Sequence, residues 1–128
     1  MSYYFSKKLT MPFDRAIDHV TQALASKGFG VLTKIDVRAT LKEKLKIDFR
    51  PYTILGACNP QLAHAALQIE NKVGTMLPCN VVVQETGNGD VEVSAVDPVA
   101  SMSAIENPIL RSIADRVGTK LKSVVDSL

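Results

Sequence analysis

Cys79-Asn80-Val81-Val82-Val83-Gln84-Glu85, Thr86-Gly87-Asn88-Gly89-Asp90 and Val91-Glu92-Val93-Ser94-Ala95-Val96 form one continuous stretch, and its reading decides the fold. The first seven residues are a short, β-branched apolar run, read as a strand over 79–85 buried on both faces. In the last six, Val91, Val93 and Ala95 alternate with Glu92, Ser94 and Val96, the period of two that marks a return strand. The glycines and Asn88 between them signal a tight hairpin. A hairpin joins strands that run in opposite directions, so the sheet contains at least one antiparallel pair.

Upstream of the hairpin, Tyr52-Thr53-Ile54-Leu55-Gly56-Ala57 has the length of a strand, and Cys58-Asn59-Pro60 follows it. Asn59 as N-cap and Pro60 at the first helical position open a helix over 60–71. Val31, Thr33 and Ile35 alternate with Leu32 and Lys34 as an earlier strand. Val37, Leu41, Leu45 and Phe49 then recur every four residues, which predicts a short amphipathic helix ended by Pro51. Nearer the start, Phe13, Ala16, Ile17, Val20 and Leu24 define a helix over 12–27 stopped by Gly28, preceded by a weakly patterned strand over 2–9. Downstream, Asp97-Pro98 closes the return strand with an Asx-type turn, and residues 99–106 read as a loop or short turn. Asn107-Pro108 caps a last helix, whose Leu110, Ile113, Val117, Leu121, Val124 and Leu128 share one face to the chain end. The order is β-α-β-α-β-α-β-β-α, an α+β chain.

A length of 128 residues corresponds to one domain, 1–128. Surface scaling leaves roughly 6,700 Å² exposed of about 20,000 Å² unfolded, which buries enough for a real core without staples. A hydrophobic share of 46% with 22% charged residues excludes a disordered tail, a collagen-like repeat and a disulfide scaffold. No apolar run approaches a membrane span, and the N-terminus places Lys7 and Lys8 after its apolar residues, the reverse of a secretory signal. A cytoplasmic protein with no membrane partner is expected.

The net charge of +2 is unevenly placed. Residues 1–50 carry ten basic and five acidic side chains and residues 51–128 carry five and eight, so the halves are +5 and −3. Arg38, Lys42, Lys44, Lys46 and Arg50 are interleaved with Glu43 and Asp48, as on a solvated helix flank. With 5% aromatics and no Trp, the stacking platform of a nucleic-acid surface is lacking, so no nucleic-acid partner is expected.

The strings Ile35-Asp36, Ala39-Thr40-Leu41-Lys42-Glu43-Lys44-Leu45 and Asp48-Phe49-Arg50-Pro51-Tyr52, continuing into Ile54-Leu55-Gly56-Ala57-Cys58-Asn59-Pro60, resemble the bacterial domain-of-unknown-function family 302. So do Leu77-Pro78-Cys79-Asn80-Val81-Val82-Val83 and Ala95-Val96-Asp97-Pro98. The resemblance implies a single-copy, TATA-binding-protein-like α+β fold, a curved antiparallel sheet backed by helices, assembled as a homodimer. It implies no activity, and a shared fold is not a shared function.

The same resemblance makes strands 52–57 and 79–85 antiparallel neighbours, which brings Cys58, at the end of one, near Cys79, at the start of the other. In a chain without a signal peptide the two are reduced thiols. Free cysteines pack as small hydrophobes. A close pair also binds a soft metal, Cu(I) or Zn(II), or cycles to a disulfide, and His64 is the third ligand within sequence reach. Cys58 precedes a helix N-terminus, which favours thiolate where the sulfur is exposed. Asn59 and Asn80 each follow a cysteine. Either they satisfy a helix end and a strand end, or they are paired amides facing a small polar ligand. His19, between Asp18 and Gln22, reads as solvated.

No nucleophile elbow, phosphate loop, HExxH or carboxylate pair occurs. The leading reading is therefore a dimeric, non-catalytic module that needs no cofactor and binds a small ligand or a partner protein through Cys58, Asn59, His64, Cys79 and Asn80. The alternative is a thiol redox or soft-metal protein centred on Cys58 and Cys79.

Overall fold

The computed structural model describes residues 2–128. Its elements are β1 (Tyr4–Leu9), α1 (Phe13–Ser26), β2 (Gly30–Asp36), α2 (Val37–Leu45), β3 (Tyr52–Cys58), α3 (Pro60–Ile69), β4 (Cys79–Glu85), β5 (Val91–Val96), α4 (Pro98–Ser101) and α5 (Pro108–Ser127). The strands form one open five-stranded sheet in the order β1-β5-β4-β3-β2, with every pairing antiparallel. Helices back the sheet, so the α+β class implied by the sequence is the observed one.

The core lies under the helices on one face only. Alternate residues of β4 and β5, Val81, Val83, Val91, Val93 and Ala95, are buried beneath Ala16, Ile17, Val20 and Leu24 of α1 and Leu121, Val124 and Val125 of α5. A second cluster joins Leu62 and Ala66 of α3 to Val73, Met102, Leu110, Ile113 and Ala114. Helix α5 belongs to both clusters and ties them together. The Lys7 ammonium holds the end of this helix by donating to the backbone oxygens of Asp126 (3.1 Å) and Leu128 (2.8 Å), a cation placed where the helix dipole is negative.

One-sided cover corrects the reading of 79–85 as buried on both faces. Cys79, Val81 and Val83 are buried, whereas Asn80 is exposed and Val82 and Gln84 are half-buried, because no layer lies over their side of the sheet. The predicted amphipathic helix over Val37–Phe49 is corrected too. It opens with Asp36 Oδ1 accepting from the Ala39 N–H (2.9 Å) and closes at Leu45, where Lys46 turns left-handed with φ 57°. It buries none of its residues, since it follows edge strand β2 and lies outside the helix layer. The exposed surface is 7702 Å² against roughly 6,700 Å² for a chain of this mass. The uncovered sheet face and the projecting α2 account for the difference.

Local signals set the other boundaries. Gly28 (φ 86°) ends α1, with its N–H donating to Ala25 O and that of Phe29 to Leu24 O, at 3.1 and 2.9 Å, the Schellman arrangement. This turn delivers Phe29 into the core. Helix α3 stops at Ile69 rather than 71, and Val73–Met76 forms a single 3₁₀ turn.

Gly56 marks a close approach. A Cβ there meets Thr33 Oγ1 on the neighbouring strand and the Pro78 ring at 2.8 Å. Gly56→Ala is expected to lower stability by about 1–3 kcal/mol, the range for overpacking. A urea midpoint unchanged from wild type would show that the strands yield without cost.

Candidate functional site

The site grows from the junction of β3 with α3. Cys58 ends the strand, Asn59 caps the helix with its Oδ1 accepting from the Leu62 N–H (3.2 Å), and Pro60 takes the first helical position. Across the sheet, Cys79 opens β4 directly opposite Ala57. Cys58 is one residue further along, and ordinary strand spacing puts the two cysteine α-carbons about 6 Å apart, with the pleat turning the Cys58 side chain to the face of the sheet opposite that of Cys79. Both cysteines are free, Cys58 half-buried and Cys79 buried.

The two border one small cavity of 30 Å³. Its walls are Phe29, Ala57, Leu62, Ala63, Ala66, Leu77 and Pro78, closed by Pro98, Met102, Ile113, Ala114 and Val117 from α4 and α5. Apart from sulfur, Asn59 supplies the only side-chain polar atoms, and its oxygen already caps α3. The space fits one or two water-sized atoms but offers them few hydrogen-bond partners.

Burial pushes the Cys79 thiol up to about 11 from its ordinary 9.0, and the charge of nearby Cys58 adds to the shift. Cys79 therefore keeps its proton at neutral pH and is a poor nucleophile.

Cys58, Asn59 and Cys79 all border the cavity, Cys58 from a strand position on the other side of the pleat from Cys79, and the other two expected residues lie outside it. His64 is exposed on α3, its Nε2 3.1 Å from the Gln68 amide nitrogen. Two residues from buried Leu62 and two from buried Ala66, it sits on the helix face turned from the cavity. Among the described residues no group of three or more His, Cys, Asp and Glu gathers as for a metal. Asn80 follows Cys79 on a pleated strand and so projects from the opposite, uncovered face. There it lines a shallow groove of 370 Å³ with Tyr52, Val82, Gln84, Glu92 and Ser94. Asn59 and Asn80 thus do not face one ligand. His19 is half-buried rather than fully solvated. Met102, which closes the cavity, falls in the segment read from sequence as a loop or short turn, where no pattern singled it out.

An α+β chain with a one-sided antiparallel sheet and a cysteine-walled cavity at a strand–helix junction is the class that these features define. The chain belongs to the family described as Domain of unknown function DUF302, which matches residues 5–128. It is similar to the crystal structure of an uncharacterized conserved DUF302 protein from Bacillus stearothermophilus, with a TM-score of 0.91 and 30% identity over 98% of each chain. No curated protein matches it. Among the described residues no helix is long and apolar enough to cross a membrane.

The raised Cys79 thiol makes stability depend on pH. Unfolded, the group ionises near pH 9; folded, near 11. The stabilisation is complete below pH 9 and is lost as the pH rises to about 11, amounting to about 2–3 kcal/mol. Urea unfolding of wild type is expected to show this alkaline decline, and Cys79→Ala to flatten it. Equal pH slopes for the two would refute the assignment.

Proposed function

We propose that this protein is a dimeric, non-catalytic binding module whose ligand site is the apolar cavity between the β3–α3 junction and α5. The observation that carries the reading is the placement of Cys58, Asn59 and Cys79 on one small apolar cavity. The thiol of Cys79 is shifted away from reactivity, which favours holding a ligand over transforming it. Two free thiols suit a reducing compartment, in keeping with a cytoplasmic site of action.

Size bounds the ligand. A cavity of 30 Å³ admits a few heavy atoms, and at a ceiling of about 1.5 kcal/mol per atom a neutral ligand of three atoms binds no tighter than about millimolar. Methyl NMR under xenon pressure and with dimethyl sulfide tests the location. Shifts are expected at Ala57, Ala66, Met102 and Ile113, and are expected to vanish in Ala114→Leu, which fills the space. Shifts confined to Val82 and the groove on the uncovered face, or no shifts, would overturn the assignment.

The proposed partner in the dimer is a second copy seated on the β2–α2 side. That side carries exposed Leu32 (67%), Ile35, Leu45 (61%) and Ile47 beside an unpaired strand edge, and the protein exposes more surface than its mass requires. The bulge between Val31 and Thr33 blunts the edge as a template for strand addition. Side chains rather than a continued ladder therefore hold the pair, through one patch used twice about a two-fold axis. Light scattering is expected to give twice the 13.9 kDa chain mass, and Leu32→Glu with Leu45→Glu to give a folded monomer. A monomeric wild type at micromolar concentration would refute the dimer.

A further inference from the structure

We propose that the groove on the uncovered face of the sheet is a second binding site, for a neutral saccharide of one or two pyranose rings. The inference goes beyond the cavity reading and does not depend on it. The groove measures 370 Å³, within the range of about 300–1,000 Å³ for small-molecule sites, against 30 Å³ for the cavity. The chain has three tyrosines, and all three border the groove. Tyr4 of β1, with the Tyr3 ring set edge-on to it at 5.0 Å, stands at the end marked by Val96. Tyr52 of β3 stands at the other end, in register with Gln84 and, through it, Glu92. Between them Asn80 and Gln84 of β4 and Ser94 and Glu92 of β5 make a polar floor.

The side chains select the class of ligand. Amide and hydroxyl groups both donate and accept without carrying charge, and Glu92 is the single charged residue of the lining. Its charge is offset by Lys8, directly opposite on β1, and by Arg50, whose Nε donates to Gln84 Oε1 at 2.9 Å. A phosphate would meet a carboxylate, and a cation would find the carboxylate already balanced. A flat nucleobase carries polar groups only at its rim, whereas those of the groove rise from a floor. A sugar directs hydroxyls to several sides and lays its C–H faces on tyrosine rings, whose bodies are apolar and whose tips are polar. The groups are also held in advance, which lowers the ordering cost of binding. The Arg50 guanidinium lies 4.4 Å from the Phe49 ring centre and 5.4 Å from that of Tyr52, so one side chain steadies both Tyr52 and Gln84. The Gln84 amide donates in turn to Glu92 Oε1 at 3.4 Å, and an oriented carboxylate accepts strongly from a hydroxyl. One carboxylate is not the pair that glycoside hydrolysis requires, so the groove holds a sugar without cleaving it.

The test is NMR titration of the full chain with maltose and with cellobiose, neutral disaccharides of opposite linkage. Saturable shifts are expected from at least one of them at the Val82 methyls and the Asn80 and Gln84 side-chain amides, with none at Ala66 and Ile113 in the cavity. Glu92→Gln replaces the charged acceptor by a neutral one of the same shape and is expected to weaken binding by about tenfold. Tyr4→Ala, at an exposed position on an edge strand, is expected to weaken it by a similar factor. Thermal melting confirms that each variant is folded. No saturable shift from either sugar, equal shifts from choline or inorganic phosphate, tighter binding of adenosine, or unaltered affinity in both folded variants would overturn the proposal. Xenon reports on the cavity, so xenon shifts without sugar shifts would remove this site and leave the cavity, and sugar shifts without xenon shifts would do the reverse.

Discussion

Burial of alternate residues of β4 and β5 beneath α1 and α5 is the constraint on which the rest of the structure depends. Val81, Val83, Val91, Val93 and Ala95 each shed most of their surface into that layer, at about 25 cal/mol per Å² of apolar area removed from water. Because side chains alternate across a strand, a slip of one residue would present Asn80, Gln84 and Glu92 to the core instead. The register is therefore held by the side chains as much as by the hairpin. Cys79 lies on the same face, and its placement beneath the helices follows from the register that buries Val81.

Where the sequence carried a local chemical signal, the fold was legible. Asn59-Pro60 and Asn107-Pro108 each proved to be the capped helix start expected, since an Asn oxygen and a proline ring act within a single turn, whereas Asp97-Pro98, read only as a turn closing the strand, also caps the short helix α4. The end of α2 was not legible. Lys46 adopts the left-handed conformation that glycine or asparagine would have announced, while the spacing of Phe49 suggested that the helix ran on. A run such as Val81-Val82-Val83 does not distinguish cover on one face from cover on two, because that depends on which other elements arrive above it.

The same division holds at the site. The pairing of the strands that carry Cys58 and Cys79 was readable, a long-range fact reduced to a short one, whereas the expected meeting of their thiols fails on the pleat, which turns the two side chains to opposite faces. The wall made by Met102, Ile113 and Ala114 depends on how α5 crosses the end of the sheet, where a Cβ added at Gly118 would stand 3.5 Å from the Pro98 ring. No periodicity within 99–106 encodes that approach. His64 could have been set aside by counting alone, being about 200° around the helix from the buried Leu62.

Helix α2 buries nothing and is held by the Asp36 cap and an exposed Lys42–Asp48 ion pair of 3.1 Å. Exposed pairs of this kind contribute well under about 1 kcal/mol. The helix adds only a light contact with β3 along its sides, through a face on which Val37, Thr40 and Leu41 are half-buried. It can fray and re-form many times during one lifetime of the folded core, so its amide hydrogens exchange with solvent through local opening while those of β4 await global unfolding.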